Sequence, residues 1–151
     1  MNILVVEDEP ALRQTVVAAL VLCGHAVVGA ENGIEALARV HDLRPDLVVL
    51  DLQMPEMDGW EFQRQFRRLP ECATIPVVIM SAAEHAALDD LDAAALLAKP
   101  FDLDELMDVI DRLLPVRVHG ESIMRVPDPV TGVLVARSSL DDDGRDTART
   151  P

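Results

Sequence analysis

Four short apolar runs recur along the chain at nearly even intervals: Ile3-Leu4-Val5-Val6, Ala26-Val27-Val28, Leu47-Val48-Val49-Leu50 and Val77-Val78-Ile79-Met80. They are β-branched and continuous rather than alternating, the pattern of strands covered on both faces in a parallel sheet. A fifth, weaker strand fits Leu96-Leu97-Ala98, just ahead of Lys99-Pro100. The intervening segments have helical period. Ala11 to Leu22 puts Leu12, Val16, Ala19 and Leu20 on one stripe, with Pro10 suited to the first turn and Gly24 to the C-terminal cap. Asn32 to Leu43 carries Ile34, Leu37, Ala38 and Val40. Gly59 to Leu69 carries Trp60, Phe62 and Phe66, with Trp60 read as a core-facing anchor. The last helix starts at Asp102, has Glu105 at capping-box spacing, and runs through Leu106, Val109, Ile110, Leu113 and Leu114. This alternation of strand and helix predicts a five-stranded doubly wound α/β fold over residues 1–115.

The character changes after Pro115. The first 115 residues hold 21 acids and 8 bases, whereas residues 116–151 hold 6 and 5. The second stretch contains Pro127, Pro129, Pro151 and Asp141-Asp142-Asp143-Gly144, and only Val130 to Val135 reads as a strand. It is expected to be a linker or tail rather than a second domain, with no room for a helix-turn-helix.

Charge and composition narrow the function classes. With 27 Asp plus Glu against 13 Lys plus Arg, the net charge of -14 disfavours direct contact with a phosphate backbone. Aromatics at 3% are too few for a base-stacking surface. Cys23 and Cys72 form neither a CxxC pair nor a metal-ligand spacing. The first residues carry acid where a signal peptide carries Lys or Arg, and no apolar run approaches the ~18 residues of a spanning helix. A cytoplasmic protein with no membrane contact is expected.

In an open parallel sheet, sites gather at the carboxyl ends of the strands. Here those ends carry Glu7-Asp8 after the first strand, Asp51 after the third, Ser81 after the fourth and Lys99 after the fifth. A lone acid in such a position is often only a helix cap; polar groups at four strand ends, with none inside the strands, are harder to explain as surface decoration. Three carboxylates within ~4–5 Å would repel by a few kcal/mol per pair at an effective dielectric of ~20, so either a proton or a hard cation must offset them. All-oxygen ligands favour Mg²⁺, which also accepts phosphoryl oxygens. A carboxylate beside such an ion can attack phosphorus to give an acyl phosphate, with Lys99 pairing the phosphoryl charge and Ser81 hydrogen-bonding one of its oxygens. Of 13 basic residues 12 are Arg and Lys99 is the single Lys, which suggests that a compact point charge is required there.

These pieces resemble the receiver domain of two-component response regulators. The resemblance rests on four ordered motifs: Ile3-Leu4-Val5-Val6-Glu7-Asp8-Glu9-Pro10, Val49-Leu50-Asp51-Leu52-Gln53-Met54-Pro55-Glu56-Met57-Asp58-Gly59, Val78-Ile79-Met80-Ser81-Ala82 and Lys99-Pro100-Phe101. It covers residues 1 to about 115. It implies a flavodoxin-like sheet of order 2-1-3-4-5, and that Asp51 accepts a phosphoryl group from a sensor histidine kinase or a His phosphotransfer protein. It further implies that Glu7, Asp8, Asp51 and the main-chain carbonyl of Gln53 hold Mg²⁺, that Ser81 and Lys99 take the family's hydroxyl and lysine roles, and that output passes to a downstream protein. The side chain of Gln53 is implied to lie near the phosphoryl group and to influence its lifetime.

The sequence also departs from the family. The switch position three residues before the lysine, usually Tyr or Phe, is Leu96, and the usual upstream Gly-Ala pair is replaced within Asp92-Ala93-Ala94-Ala95. Only 18 positions separate Ser81 from Lys99, so the helical segment near Glu84 to Leu91 is expected to be stunted and the reporting face altered. Asp128-Pro129-Val130-Thr131-Gly132-Val133 resembles the opening of a diguanylate cyclase domain, but Val135-Ala136 stands where Asn-Arg would follow. The expectation is a single-domain response regulator that catalyses arrival and loss of its own phosphoryl group. The rivals are a phosphorylation-independent interaction module and a Mg²⁺ phosphatase with an aspartyl nucleophile; the latter would need a second Asp where Gln53 stands.

Overall fold

The computed structural model describes residues 1–82, 91–113, 124–127 and 134–137. Five strands, β1 (Asn2–Val6), β2 (Ala26–Ala30), β3 (Leu47–Asp51), β4 (Val77–Ser81) and β5 (Ala95–Ala98), form one sheet in the order β2-β1-β3-β4-β5. Every neighbouring pair is parallel. The helices are α1 (Pro10–Leu22), α2 (Gly33–Leu43), α3 (Gly59–Phe66) and α4 (Leu103–Leu113). This is the doubly wound class expected from the alternation of runs, in the flavodoxin-like order that the family resemblance implied.

The continuous apolar strands have the predicted cause. β3 and β4 are buried along their full length, and successive side chains serve two separate cores. Leu4, Val6, Val48, Leu50, Val77 and Ile79 meet Val40 of α2 and Phe62 and Phe66 of α3. Ile3, Val5, Leu47, Val49, Val78, Met80 and Leu97 meet Val16 and Leu20 of α1 and Leu106, Val109 and Ile110 of α4. Each side chain fully withdrawn from water contributes roughly 1.5–3 kcal/mol before chain entropy is counted. Trp60 packs against the first core, as expected.

The helix ends follow local chemistry. Pro10 opens α1, and Gly24, at φ +87, closes it with its N–H donating to the Val21 carbonyl at 2.9 Å. Asn32 and Asp58 cap α2 and α3 through their side chains, each accepting from the N–H three residues on at 2.8 Å. α3 stops at Phe66 rather than Leu69. The reason is Pro70: a residue before proline is pushed out of the helical region, and Leu69 is extended (φ -77, ψ 118) before the 3-10 turn Pro70–Cys72.

The chain divides into two compact units, Met1–Pro115 and Val116–Pro151. The single strand expected over 130–135 is corrected in part. In the second unit, β6 (Met124–Pro127) pairs antiparallel with β7 (Leu134–Arg137), so only residues 134 and 135 of that expectation lie in a described strand. The sequence reading missed β6 because Met124-Arg125-Val126 is too short to show alternation by itself. Residues 130–133 and most of the Glu84 to Leu91 segment lie outside the described residues. Among those described, no helix is long and apolar enough to cross a membrane.

Candidate functional site

Parallel pairing puts the carboxyl ends of all five strands at one edge. Val6 is level with Leu50, Asp51 with Met80, and Ser81 with Ala98, so β1, β3, β4 and β5 deliver their terminal polar residues together. Glu7 and Asp51 are almost wholly buried, at 1% and 3% exposure, and Ser81 is buried beside them. Asp8 is partly exposed. Glu7, Asp8 and Asp51 can each offer one oxygen such that all three lie within 4.8 Å of one another.

Lys99 spans two of these carboxylates. Its Nζ lies 2.8 Å from Glu7 Oε2 and 3.0 Å from Asp51 Oδ2. The backbone N–H of Lys99 donates to the Ser81 carbonyl at 2.9 Å, which fixes the end of β5 to the end of β4. Burial pushes the Glu7 carboxyl above its ordinary range; Lys99 and the Glu9 N–H, which donates to Oε1 at 3.1 Å, oppose that rise, and Asp51 adds to it. Burial alone would lower the ammonium of Lys99. The hydrogen bonds to Glu7 and Asp51 outweigh it and hold Lys99 above the ordinary lysine value. One cation shared between two buried anions leaves an excess of negative charge in the pocket.

The loop after β3 is held tightly. Gly59 N–H donates to the Leu52 carbonyl at 3.0 Å, and a Cβ at Gly59 would lie 2.4 Å from the Asp51 carbonyl oxygen. Only glycine lets α3 start so close to β3. Glu56 adopts a left-handed conformation at φ 65, and its carboxylate accepts from Asn32 Nδ2 at 3.1 Å, while Gly33 N–H donates to the Met57 carbonyl at 3.1 Å. The loop is thereby strapped to the start of α2. Gln53 N–H donates to Asp51 Oδ1 at 3.1 Å and so helps orient the carboxylate; the Gln53 residue is exposed.

Glu7, Asp8, Asp51 and Lys99 therefore meet at this edge with Ser81 at the end of β4, and Leu96 is set apart. Leu96 lies on the edge strand β5, opposite Ile79, and is 40% exposed. Sequence reasoning missed the side chains that hold the chain where it enters β5. Gln63 Nε2 (2.8 Å) and Arg67 Nη2 (3.0 Å) of α3 and its C-terminal cap both donate to the Asp92 carbonyl, three residues before β5, and Arg67 Nη1 also donates to the Cys72 and Ile75 carbonyls. No periodic signal marks these two; the only clue was a glutamine on the core side of α3.

The donor set fits a hard divalent cation: three carboxylate oxygens, no sulfur or imidazole, and a pocket whose negative charge Lys99 does not cancel. Comparison with known proteins agrees with this geometry. The family profile for the response regulator receiver domain matches residues 3–111, and the chain belongs to that family. Response regulator MprA of Mycobacterium sp. (strain KMS) is 38% identical over 118 residues, which is 76% of this chain and 50% of that protein. The DNA-binding dual master transcriptional regulator RpaA of Synechocystis sp. is 34% identical over 137 residues, 83% of this chain and 57% of that protein. The chain thus spans about half the length of the curated relatives it matches. Among solved structures, response regulator TrrA from Thermotoga maritima, in complex with Mg²⁺-BeF, superimposes with a TM-score of 0.67 at 33% identity, covering 75% of this chain and 98% of that one.

Proposed function

We propose that this receiver accepts a phosphoryl group on Asp51 from a phosphohistidine of a sensor kinase or phosphotransfer protein, in the cytoplasm, and passes the state on through protein contacts. The observation that carries the reading is the meeting of Glu7, Asp8 and Asp51 oxygens within 4.8 Å, with Lys99 Nζ bonded to both Glu7 and Asp51. Mg²⁺, held by Glu7, Asp8, Asp51 and the main-chain carbonyl of Gln53, would supply a divalent charge that offsets the carboxylates and accepts phosphoryl oxygens.

In the transfer, a carboxylate oxygen of Asp51 forms a bond to phosphorus as the bond from phosphorus to the imidazole nitrogen breaks. The leaving imidazole keeps the electron pair and takes a proton from water. Lys99 holds the Asp51 side chain within reach of the donor, then pairs with a phosphoryl oxygen once the acyl phosphate has formed. Ser81 donates its hydroxyl to another phosphoryl oxygen. The exposed Gln53 side chain, two residues after Asp51, lies near the phosphoryl group and influences its lifetime. Where this stretch belongs to a longer protein, nucleic-acid contact falls to other segments, because the acidic field of this one repels phosphate.

Phosphoramidate, whose P–N bond mimics the donor, tests the reading. In the presence of Mg²⁺ the wild-type chain is expected to become phosphorylated, and Asp51→Asn to lose at least roughly 100-fold of the rate, since it lacks the nucleophile. Equal labelling of both proteins would refute Asp51 as the acceptor.

A further inference from the structure

The turn between β1 and α1 carries two of the three carboxylates, and a single side chain from α1 holds its backbone. Glu7 N–H still donates to the Ala30 carbonyl of β2 at 3.0 Å, but the carbonyls of Glu7 and Asp8 lie beyond the last paired residue of β1 and before the first turn of α1. Arg13 Nη1 donates to both, at 2.6 Å to Glu7 and 3.2 Å to Asp8. The Arg13 stem crosses β2 at Gly29, where a Cβ would lie 3.3 Å from both Arg13 Cγ and Cδ.

We propose that Arg13 is a positioning residue for the divalent cation. Its guanidinium locks the two consecutive peptide units whose side chains are ligands, and Gly29 keeps open the lane that the stem occupies. The proposal rests on the reading of Glu7, Asp8 and Asp51 as a Mg²⁺ site. Charge and positioning act with opposite sign here. A guanidinium near a divalent cation repels it, so an Arg13 acting through its charge alone would weaken Mg²⁺ binding, and its removal would tighten it. An Arg13 that aims the ligands strengthens binding, and its removal weakens it.

Calorimetric titration of the full chain with MgCl₂ separates the two. Arg13→Met is expected to bind Mg²⁺ about 10- to 100-fold more weakly, the usual effect of removing a group that orients metal ligands. Arg13→Lys recovers part of the loss, because an ammonium can still donate to these carbonyls but sits on a shorter, flexible stem without the fixed plane of the guanidinium. Gly29→Val leaves every charge in place and suits a strand, yet crowds the stem, and is expected to weaken binding in the same direction. Unchanged or tighter binding by Arg13→Met overturns the proposal. Should that variant not fold, unchanged affinity in Gly29→Val overturns it equally. Failure of the wild-type chain itself to take up Mg²⁺ would instead overturn the site reading on which the proposal rests.

Discussion

Lys99→Met is expected to destabilise the chain by about 3 kcal/mol near neutral pH without divalent cations, at the lower end of the cost of breaking a buried ion pair by removing one partner. The lower end applies because the Lys99 side chain keeps 22% exposure, whereas Glu7 and Asp51 keep 1% and 5%. The variant leaves those two carboxylates facing each other with no shared cation. The pH dependence follows from the shifts. Glu7 is already raised by burial, and losing the Lys99 hydrogen bond raises it further, so the folded variant binds a proton more tightly than the unfolded chain. That contribution is present in acid and disappears as pH rises through the folded pKa. In the wild type, the raised Lys99 contributes stability that is full below the ordinary lysine value and lost as pH climbs through its folded value. Urea denaturation should therefore show a smaller gap between variant and wild type at about pH 5 than at about pH 7.5. A gap that is constant with pH would mean that Lys99 contributes packing rather than charge.

Gly59→Ala is expected to cost about 3 kcal/mol, on the order of 10 °C in Tm for a domain of this size. Helix propensity alone would favour alanine by roughly 0.5–1 kcal/mol, so the sign is decided by contact. The added Cβ would lie 2.4 Å from the Asp51 carbonyl oxygen and 2.7 Å from Leu52 Cα, both backbone atoms that no rotamer can move. Relief requires shifting the start of α3 away from β3, which also displaces the Asp51 carboxylate. Thermal unfolding followed by circular dichroism checks this. A Tm within about 2 °C of wild type would show that the loop yields at little cost.

Much of this was legible in the sequence because each strand of a doubly wound sheet is buried on both faces and so writes itself as an unbroken apolar run. Leu47 to Leu50 and Val77 to Met80 are such runs, and the polar residue ending each one marks the edge at which the candidate site lies. Glu7, Asp51, Ser81 and Lys99 could be placed together because parallel register brings strand ends level, whatever the helices between them do. Long-range hydrogen bonds from side chains to carbonyls left no such trace. Arg13 reads as an ordinary polar position on the exposed side of α1, and its link to the Glu7 and Asp8 carbonyls depends on how the turn folds back. Gln63 and Arg67 reach Asp92 across 29 and 25 positions of sequence, a pairing that no local period encodes. The early end of α3 was readable from Pro70 but lost to the apolar pattern that runs on through Leu69.

The central claim is that, of three neighbouring carboxylates, Asp51 forms the acyl phosphate, and that it does so with a divalent cation in the pocket. Borohydride reduces an aspartyl phosphate to homoserine and leaves a free carboxylate intact. After incubation with phosphoramidate and Mg²⁺, reduction and peptide mapping should place homoserine at position 51 and leave Glu7 and Asp8 unmodified, with the signal lost when a chelator replaces Mg²⁺. Reduction at position 7 or 8, or labelling of Asp51 that is indifferent to the chelator, would contradict the account.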